Sequence, residues 1–351
     1  MGIVASTASY EAWLAEQIPL VAEDLERKRE LMADGPFPFF RGTYYRWLET
    51  VLEVAPELDG PTVASVGDLH TENFGTWRDR EGRRVWGVND FDESERLPWA
   101  LDLARLATSA LLAGLGLKAA EIGDALLDGY ARALADGGAP FVLDGGHPAL
   151  ERFVAKVSQP ADAWWKDELK PFRKSDPVPV PDEAGAALAE VLPAPGWRWE
   201  ARPRQAGVGS RGRRRFLLVG ELEGAPAARE LKELAPPAGR WLGRRATKPV
   251  DVAAIVRAPD PFSGRAAGWQ ARRLAPDCIK LDIARLSRSR ERDVLAAMGA
   301  ETANVHLGDR RAVAGIRRDL AGRSDGWLAD AAKRLAKAAR KDARAWRRSR
   351  P

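Results

Sequence analysis

The sequence is poor in the residues that build redox and transition-metal chemistry. One cysteine, Cys278, stands among 351 residues, which excludes an intrachain disulfide and points to a reducing compartment. The three histidines, His70, His147 and His306, are scattered, so neither a histidine-rich metal cluster nor a zinc hydrolase is expected. No apolar run is long enough to cross a bilayer, and the start lacks a basic-then-apolar leader. A cytoplasmic protein with no membrane partner is the expectation. Internal repeats are missing as well.

What is present is an ordinary globular composition, 45% apolar and 30% charged, in a chain long enough for two lobes. The net charge of +5 gathers toward Lys333–Arg350. Such a basic stretch can bind nucleic acid, or it can be the solvated side of a docked helix. The apolar stripe Leu328, Ala332, Leu335, Ala339 and Trp346 favours the docked helix.

The chemistry concentrates in Val66-Gly67-Asp68-Leu69-His70-Thr71-Glu72-Asn73-Phe74-Gly75 and its sequel Val88-Asn89-Asp90-Phe91-Asp92-Glu93. Arg84–Val88 reads as one arm of a short β-ribbon whose folding back brings Asp90 near the Asp68–Asn73 loop. Two carboxylates and a carboxamide converging there suit a hard cation such as Mg²⁺, and a further carboxylate can orient or deprotonate a hydroxyl. That is a kit for phosphoryl transfer. Taken singly, each of these residues is as ordinary as any loop Asp or Asn; the D-x-x-x-x-N spacing followed by an apolar strand and D-F is the informative part.

Apolar spacing predicts helix over Ala8–Ala33, a Gly/Pro break at Gly35–Gly42, then helix over Tyr44–Val54. Arg41 in that break either binds phosphate or pairs with an acid, the second being the safer reading. A largely buried helix follows Pro98 over Trp99–Leu115, where Asp102 needs a partner, with the acidic loop the natural one. Helix Ala119–Ala135 stops at Gly137-Gly138. Residues 144–183 carry no clear pattern beyond helix at Leu150–Val157, and a lobe boundary falls between Asp176 and Trp197. Beyond it a glycine-rich turn, Ala206–Gly212, leads to strands at Arg215–Gly220, Ala228–Leu234 and Gly268–Leu274, with a short helix at Val250–Arg257. From Ile283 the pattern is helical. A glycine turn followed by a lysine on the next strand can cover a triphosphate, although alone it is a weak signal.

Together these motifs are similar to those of aminoglycoside and choline phosphotransferases of the protein-kinase-like superfamily. The whole set, F-x-F-x-R-G at Phe37–Gly42, G-D-x-H-x-x-N-F-G, N-D-F-D-E, P-W-x-x-D-L, G-V-G-S-x-G and a K-E strand, resembles bacterial domain-of-unknown-function family 2252. The resemblance implies an α+β, protein-kinase-like two-lobed fold in circularly permuted order. Residues 1–195 would be a helical lobe with the catalytic and metal loops, 196–282 a small β-rich nucleotide-covering lobe, and 283–351 helices returning to the first. It implies that Asp68 orients the acceptor hydroxyl, His70 orders the loop, and Asn73 and Asp90 hold the metal, with Asp92 a further ligand. Asp102 would be a structural acid. Gly207, Gly209, Ser210 and Gly212 would cover the phosphates and Lys232 would hold them, paired with Asp251 or, as a rival, Glu233. Ala303-x-x-His306 would lead back to the Asp68 loop. The implied activity is an ATP/Mg²⁺-dependent phosphotransferase acting on a hydroxyl-bearing acceptor, a small molecule before a protein. Adenylyl transfer from the same cleft and a non-catalytic nucleotide- or nucleic-acid-binding module are the rival readings.

Overall fold

A computed structural model of the chain describes residues 1–205, 207–243, 251–280 and 288–350. The chain opens with α1 (Ile3–Gln17), α2 (Ala22–Leu31), α3 (Pro36–Gly42) and α4 (Tyr44–Val54). The pattern over Ala8–Ala33 predicts one helix, and two are present. Pro19 is the reason: it cannot donate to the helical ladder and drives Ile18 into extended backbone, φ −145° and ψ 153°. Leu20 forms a β-bridge with Arg213 instead. The Gly35–Gly42 stretch, expected to be a plain break, forms α3 because Pro36 occupies its first turn, where no intrahelical donor is needed.

Strands β1 (Thr62–Ser65), β2 (Phe74–Arg78), β3 (Arg84–Val88) and β4 (Glu95–Pro98) precede α5 (Ala100–Leu112) and α6 (Ala119–Asp136). β1 pairs with β4, and β2 and β3 form an antiparallel hairpin extended by β5 (Phe141–Val142). The segments α7 (Leu143–Gly146), α8 (Pro148–Val157), α9 (Ala161–Phe172) and α10 (Gly185–Ala189) occupy the stretch that carried little pattern.

A five-stranded antiparallel sheet follows, built from β6 (Trp199–Pro203), β7 (Arg215–Leu222), β8 (Ala225–Glu233), β9 (Ser263–Ala266) and β10 (Trp269–Leu274) in the spatial order β6-β7-β8-β10-β9. Between β8 and β9 lie α11 (Ala238–Trp241) and α12 (Val252–Ile255); Val250, where a helix was expected to start, is outside the described residues. The last helices are α13 (Arg288–Gly308), α14 (Val313–Gly322) and α15 (Trp327–Arg348), with 283–287 also outside the described residues. The architecture is therefore mixed α+β with several small sheets.

The largest core gathers around α5, which is buried from Ala100 to Ala110. A separate cluster lies on one face of the five-stranded sheet, where Leu218, Leu231 and Trp269 meet Ala187 and Leu188 of α10. On the other face Leu217, Ala228 and Leu274 meet Trp164, Trp165 and Phe172 of α9. Alternation along β8 places Ala228, Glu230 and Lys232 together on that second face, opposite Leu231. Helix α15 buries Leu328, Ala332, Leu335 and Trp346, and leaves Lys333, Arg334, Lys337 and Arg340 exposed. Its docked face is what the apolar stripe requires. Among the described residues no helix is long and apolar enough to cross a membrane.

Candidate functional site

The hairpin assembles the first part of the site. Phe74 is registered opposite Val88, and the Asn89 N–H donates to the Asn73 carbonyl at 3.0 Å, so Asp90 emerges beside the end of the Asp68–Asn73 loop. Gly67 makes the crossing of the two loops possible. It has φ +85°, and a Cβ there would overlap the Glu93 carbonyl.

Helix α5 then fixes the loop through two residues one turn apart. Asp102, fully buried, accepts from Val66 N at 2.8 Å and Gly67 N at 3.0 Å, and its Oδ2 lies 3.1 Å from His306 Nε2 on α13. Arg105, also fully buried, donates through Nε to Asp68 Oδ1 at 2.7 Å and through Nη2 to the Phe40 carbonyl at 3.0 Å. Its guanidinium stacks over Phe40, 4.0 Å from the ring centre, with Tyr44 and Trp47 around it. Burial raises the Asp68 pKa and Arg105 opposes that rise.

Asn73 donates its amide nitrogen to the Asp68 carbonyl at 2.6 Å, which leaves its carbonyl oxygen as the atom available to a ligand. His70 accepts the Glu72 N–H at Nδ1, 3.2 Å, and burial, with Arg41 and Arg105 near, holds its pKa well below the ordinary value. It is a neutral ring that shapes the loop. Arg41 is paired with Glu72.

Lys232 comes from the five-stranded sheet to meet this assembly. Its Nζ lies 2.7 Å from Asp92 Oδ2 and 3.4 Å from Asp90 Oδ1. Burial works against ionisation of Asp90, but Lys232, then Lys280 and Arg272, hold its pKa far below the ordinary range. Neither expected partner of the lysine takes that place. Asp251 caps α12, accepting from Ala254 N at 3.3 Å, and Glu233 pairs with Arg214 at 2.6 Å. Both corrections follow from chain geometry: Glu233 points to the opposite face of β8 from Lys232, and Asp251 is consumed by a helix start. Asp92 is consequently an ion-pair partner here, also 3.4 Å from Arg213, while its Oδ1 accepts no hydrogen bond.

The glycine turn lies over Asp68: a Cβ at Gly209 would stand 3.7 Å from Asp68 Oδ2, and one at Gly207 would meet Arg41 Nη2. Helix α2 holds the turn in place. Asp24 accepts from Gly212 N at 2.9 Å and pairs with Arg211 at 2.6 Å, while Lys28 Nζ donates to the Gly209 carbonyl at 3.2 Å. Ser210 Oγ accepts from Arg215 at 2.6 Å and is thereby tied to β7.

Two cavities with shared walls result. The smaller, ≈ 60 Å³, is walled by Asp68, His70, Asn73, Asp90, Asp92 and the glycine turn. The larger, ≈ 520 Å³, lies under the sheet between Val88 and Phe91 below and Gln270, Arg272 and Leu274 above, and it includes Asp251 in its wall. Gly207, Arg272 and Lys280 line both. Glu230 lines the larger one, held by Arg204 at 3.0 Å, Arg215 at 2.9 Å and Arg272 at 2.7 Å. Burial would favour its neutral form, yet Arg215, Arg272 and Arg204 keep its pKa well below the ordinary value. Sequence reasoning overlooked this cluster and Arg105. The signals were a second acid two residues before Lys232 on the same strand face, and one arginine in an otherwise apolar helix.

No curated protein and no solved structure matches the chain. Residues 20–137 match the family described as an uncharacterized protein conserved in bacteria, DUF2252; that span carries Asp68, His70, Asn73, Asp90, Asp92, Asp102 and Arg105.

Proposed function

We propose that the chain is a Mg²⁺-dependent phosphotransferase, passing the γ-phosphoryl group of ATP to a hydroxyl placed against Asp68, on a kinase-like two-lobed fold with its halves in permuted chain order. The observation that carries the proposal is the meeting of Lys232 with Asp90 and Asp92 at the edge of a cavity that also holds Asp68 and Asn73. In protein kinases the lysine is on the third strand, and the metal is held by a D-F aspartate and a catalytic-loop asparagine. Here the glycine turn joins the first and second strands of the five-stranded sheet, and Lys232 is on the third. His306, near the end of α13, reaches the base of the Asp68 loop through Asp102, which is the junction a permuted order calls for.

The residues fit a hard cation. Asp90 is held ionised, Asn73 has an uncommitted carbonyl oxygen, and Asp92 keeps one unbonded oxygen. Among the described residues no three His, Cys, Asp or Glu side chains form a cluster, and Mg²⁺ needs none, since one or two carboxylates, water and phosphate oxygens suffice. When bound, Mg²⁺ supplies charge neutralisation on the phosphates. The larger cavity falls within the ligand-pocket range of about 300–1,000 Å³ and takes the nucleoside. Its shared wall of Arg272, Lys280 and Gly207 then receives the phosphates on their way to Asp68. Asp68 accepts a hydrogen bond from the acceptor hydroxyl and turns its oxygen toward the γ-phosphorus; the new P–O bond forms as the β–γ bridge breaks, the hydroxyl proton passes to Asp68, and ADP leaves. Arg105 holds the Asp68 carboxylate in place, so positioning is part of its contribution. Asp68→Asn is expected to abolish transfer while Mg²⁺-ATP still raises the melting temperature. Transfer at wild-type rate by that variant would remove the assignment.

Arg265 in the wall of the larger cavity, with two nitrogens that make no hydrogen bond, favours one second reading. A reversed nucleotide would lay its phosphates there and present the α-phosphorus to the acceptor, giving an AMP ester and pyrophosphate. Mass spectrometry of the product separates the two.

A further inference from the structure

Lys28 stands apart from every motif of the kinase-like set. It comes from α2, is only 6% exposed, and faces the smaller cavity. Each carboxylate lining that cavity has its own cation: Asp68 has Arg105, Glu72 has Arg41, Glu93 has Arg213, and Asp90 and Asp92 share Lys232. Lys28 has no such partner. Among the described residues it pairs with no carboxylate, and its one hydrogen bond is to the Gly209 carbonyl. The nearby charges are Arg213, Glu11, Glu93 and Asp68, and burial brings its pKa down to about 8. Tyr44 lines the same cavity; its hydroxyl, on a residue 5% exposed, has no hydrogen-bond partner and lies close to Gly67, next to Asp68. A lysine with two spare donors and a tyrosine with a spare hydroxyl thus line ≈ 60 Å³ of free space, room for an oxyanion group and far too little for a nucleotide. A buried charge without a counter-charge is costly, and an arriving anion removes that cost.

We propose that Lys28 and Tyr44 form a subsite for a phosphate-like oxyanion beside Asp68. The anion is either the terminal phosphoryl group of the nucleotide or an acidic group on the acceptor. Only the identity of the occupant rests on the phosphotransferase reading; the subsite itself does not. Lys28 is then a positioning residue, tying the glycine turn and the anion together from a helix outside the nucleotide-binding motifs.

The test begins without nucleotide, titrating inorganic phosphate by calorimetry at constant ionic strength. Wild type and Lys28→Arg are expected to bind phosphate, Lys28→Met to lose at least ten-fold in affinity, and Tyr44→Phe to lose a few-fold. The Met variant is expected to melt no lower than wild type, since it removes an unpaired buried charge. Equal phosphate affinity in wild type and Lys28→Met, no phosphate binding by wild type, or a lower melting temperature with unchanged affinity would each overturn the subsite. The second arm compares Mg²⁺-ATP with Mg²⁺-ADP. A loss in Lys28→Met confined to ATP assigns the terminal phosphate. Unchanged affinity for both nucleotides, with the phosphate loss retained, assigns an anionic acceptor. Failure of wild type to bind either nucleotide would count against the phosphotransferase reading and leave the phosphate result standing.

Discussion

Asp102, fully buried, and Asp92, half-buried at the smaller cavity, lie within one stretch of chain, and their surroundings are opposite. The oxygens of Asp102 meet two backbone N–H groups and His306, whose other nitrogen lies 2.8 Å from the Tyr130 hydroxyl. Every link is short, and Asp102, His306 and Tyr130 line neither cavity. Asp92 is held by charges alone, Lys232 at 2.7 Å and Arg213 at 3.4 Å, with Arg265 at 3.8 Å from an oxygen that accepts no hydrogen bond. Buried polar groups are normally satisfied, so an unfilled oxygen in a cluster of cations marks a place kept open for something else. The closed network holds the loop still; the open one has capacity to spare.

The largest effect should come from breaking the closed network. Asp102→Ala strands the N–H groups of Val66 and Gly67, and at about 1–3 kcal/mol for each unsatisfied buried donor the loss in unfolding free energy should exceed about 3 kcal/mol. Urea denaturation measures it, and a loss below 1 kcal/mol, about what one surface change costs, would mean that the loop does not depend on α5. Asp90→Asn should do the reverse. Asp90 is partly open to the cavity, so its ion pair is screened and the stability change should stay within about 1 kcal/mol at neutral pH. The proposed phosphoryl transfer should fall about 10²–10³-fold, as when one electrostatic stabiliser is removed from an active site. The folded-state pKa of Asp90 is depressed, so its contribution is present above the ordinary carboxylate range near pH 4 and is lost as pH falls below it. The Asn variant should lack that part of the acid loss; a stability profile identical to wild type below pH 4 would show that the Lys232 pairing contributes nothing.

The loops of this comparison were far more legible in the sequence than their partners. Asp68, Asn73 and Asp90 announce themselves because the loop spacing and the apolar strand after it are local, and a hairpin converts local order into proximity. Lys232 was readable as a strand lysine, but its partner was not. Pairing across a gap of 140 residues is decided by how the five-stranded sheet docks, and no periodicity near Lys232 distinguishes Asp92 from Asp251. Arg105 lay in plain view three residues after Asp102, yet propensity treats it as one polar residue in an apolar helix, and its role depends on Asp68 being beside it. Pro19 was the opposite case: a strong local breaker was outvoted by a helical pattern that continued on both sides of it. The stretch holding α9 failed for a further reason. Its Trp164, Trp165 and Phe172 cover the sheet as a partly exposed patch, so no clean apolar stripe separates inside from outside.

The smallest expected effect concerns a third acid, under the hairpin that carries Asn73 and Asp90. Glu301 of α13 is buried against Gly87, accepting from Asn304 Nδ2 at 2.8 Å, and burial, with those hydrogen bonds opposing it, raises its pKa to about 7. The unfolded chain titrates this carboxyl near pH 4.3. Between the two values the folded state keeps a proton that the unfolded state has lost, so stability falls as pH rises toward 7 and is level above it. Glu301→Gln retains the hydrogen-bonding shape without the charge. It should match wild type near pH 4 and exceed it at pH 8 by about 1–3 kcal/mol in denaturation experiments. Equal differences at both pH values would mean that Glu301 is ionised in place. Hydration or an added cation would then reach the underside of the hairpin, and the division between a closed scaffold and an open site would have to be redrawn to include α13.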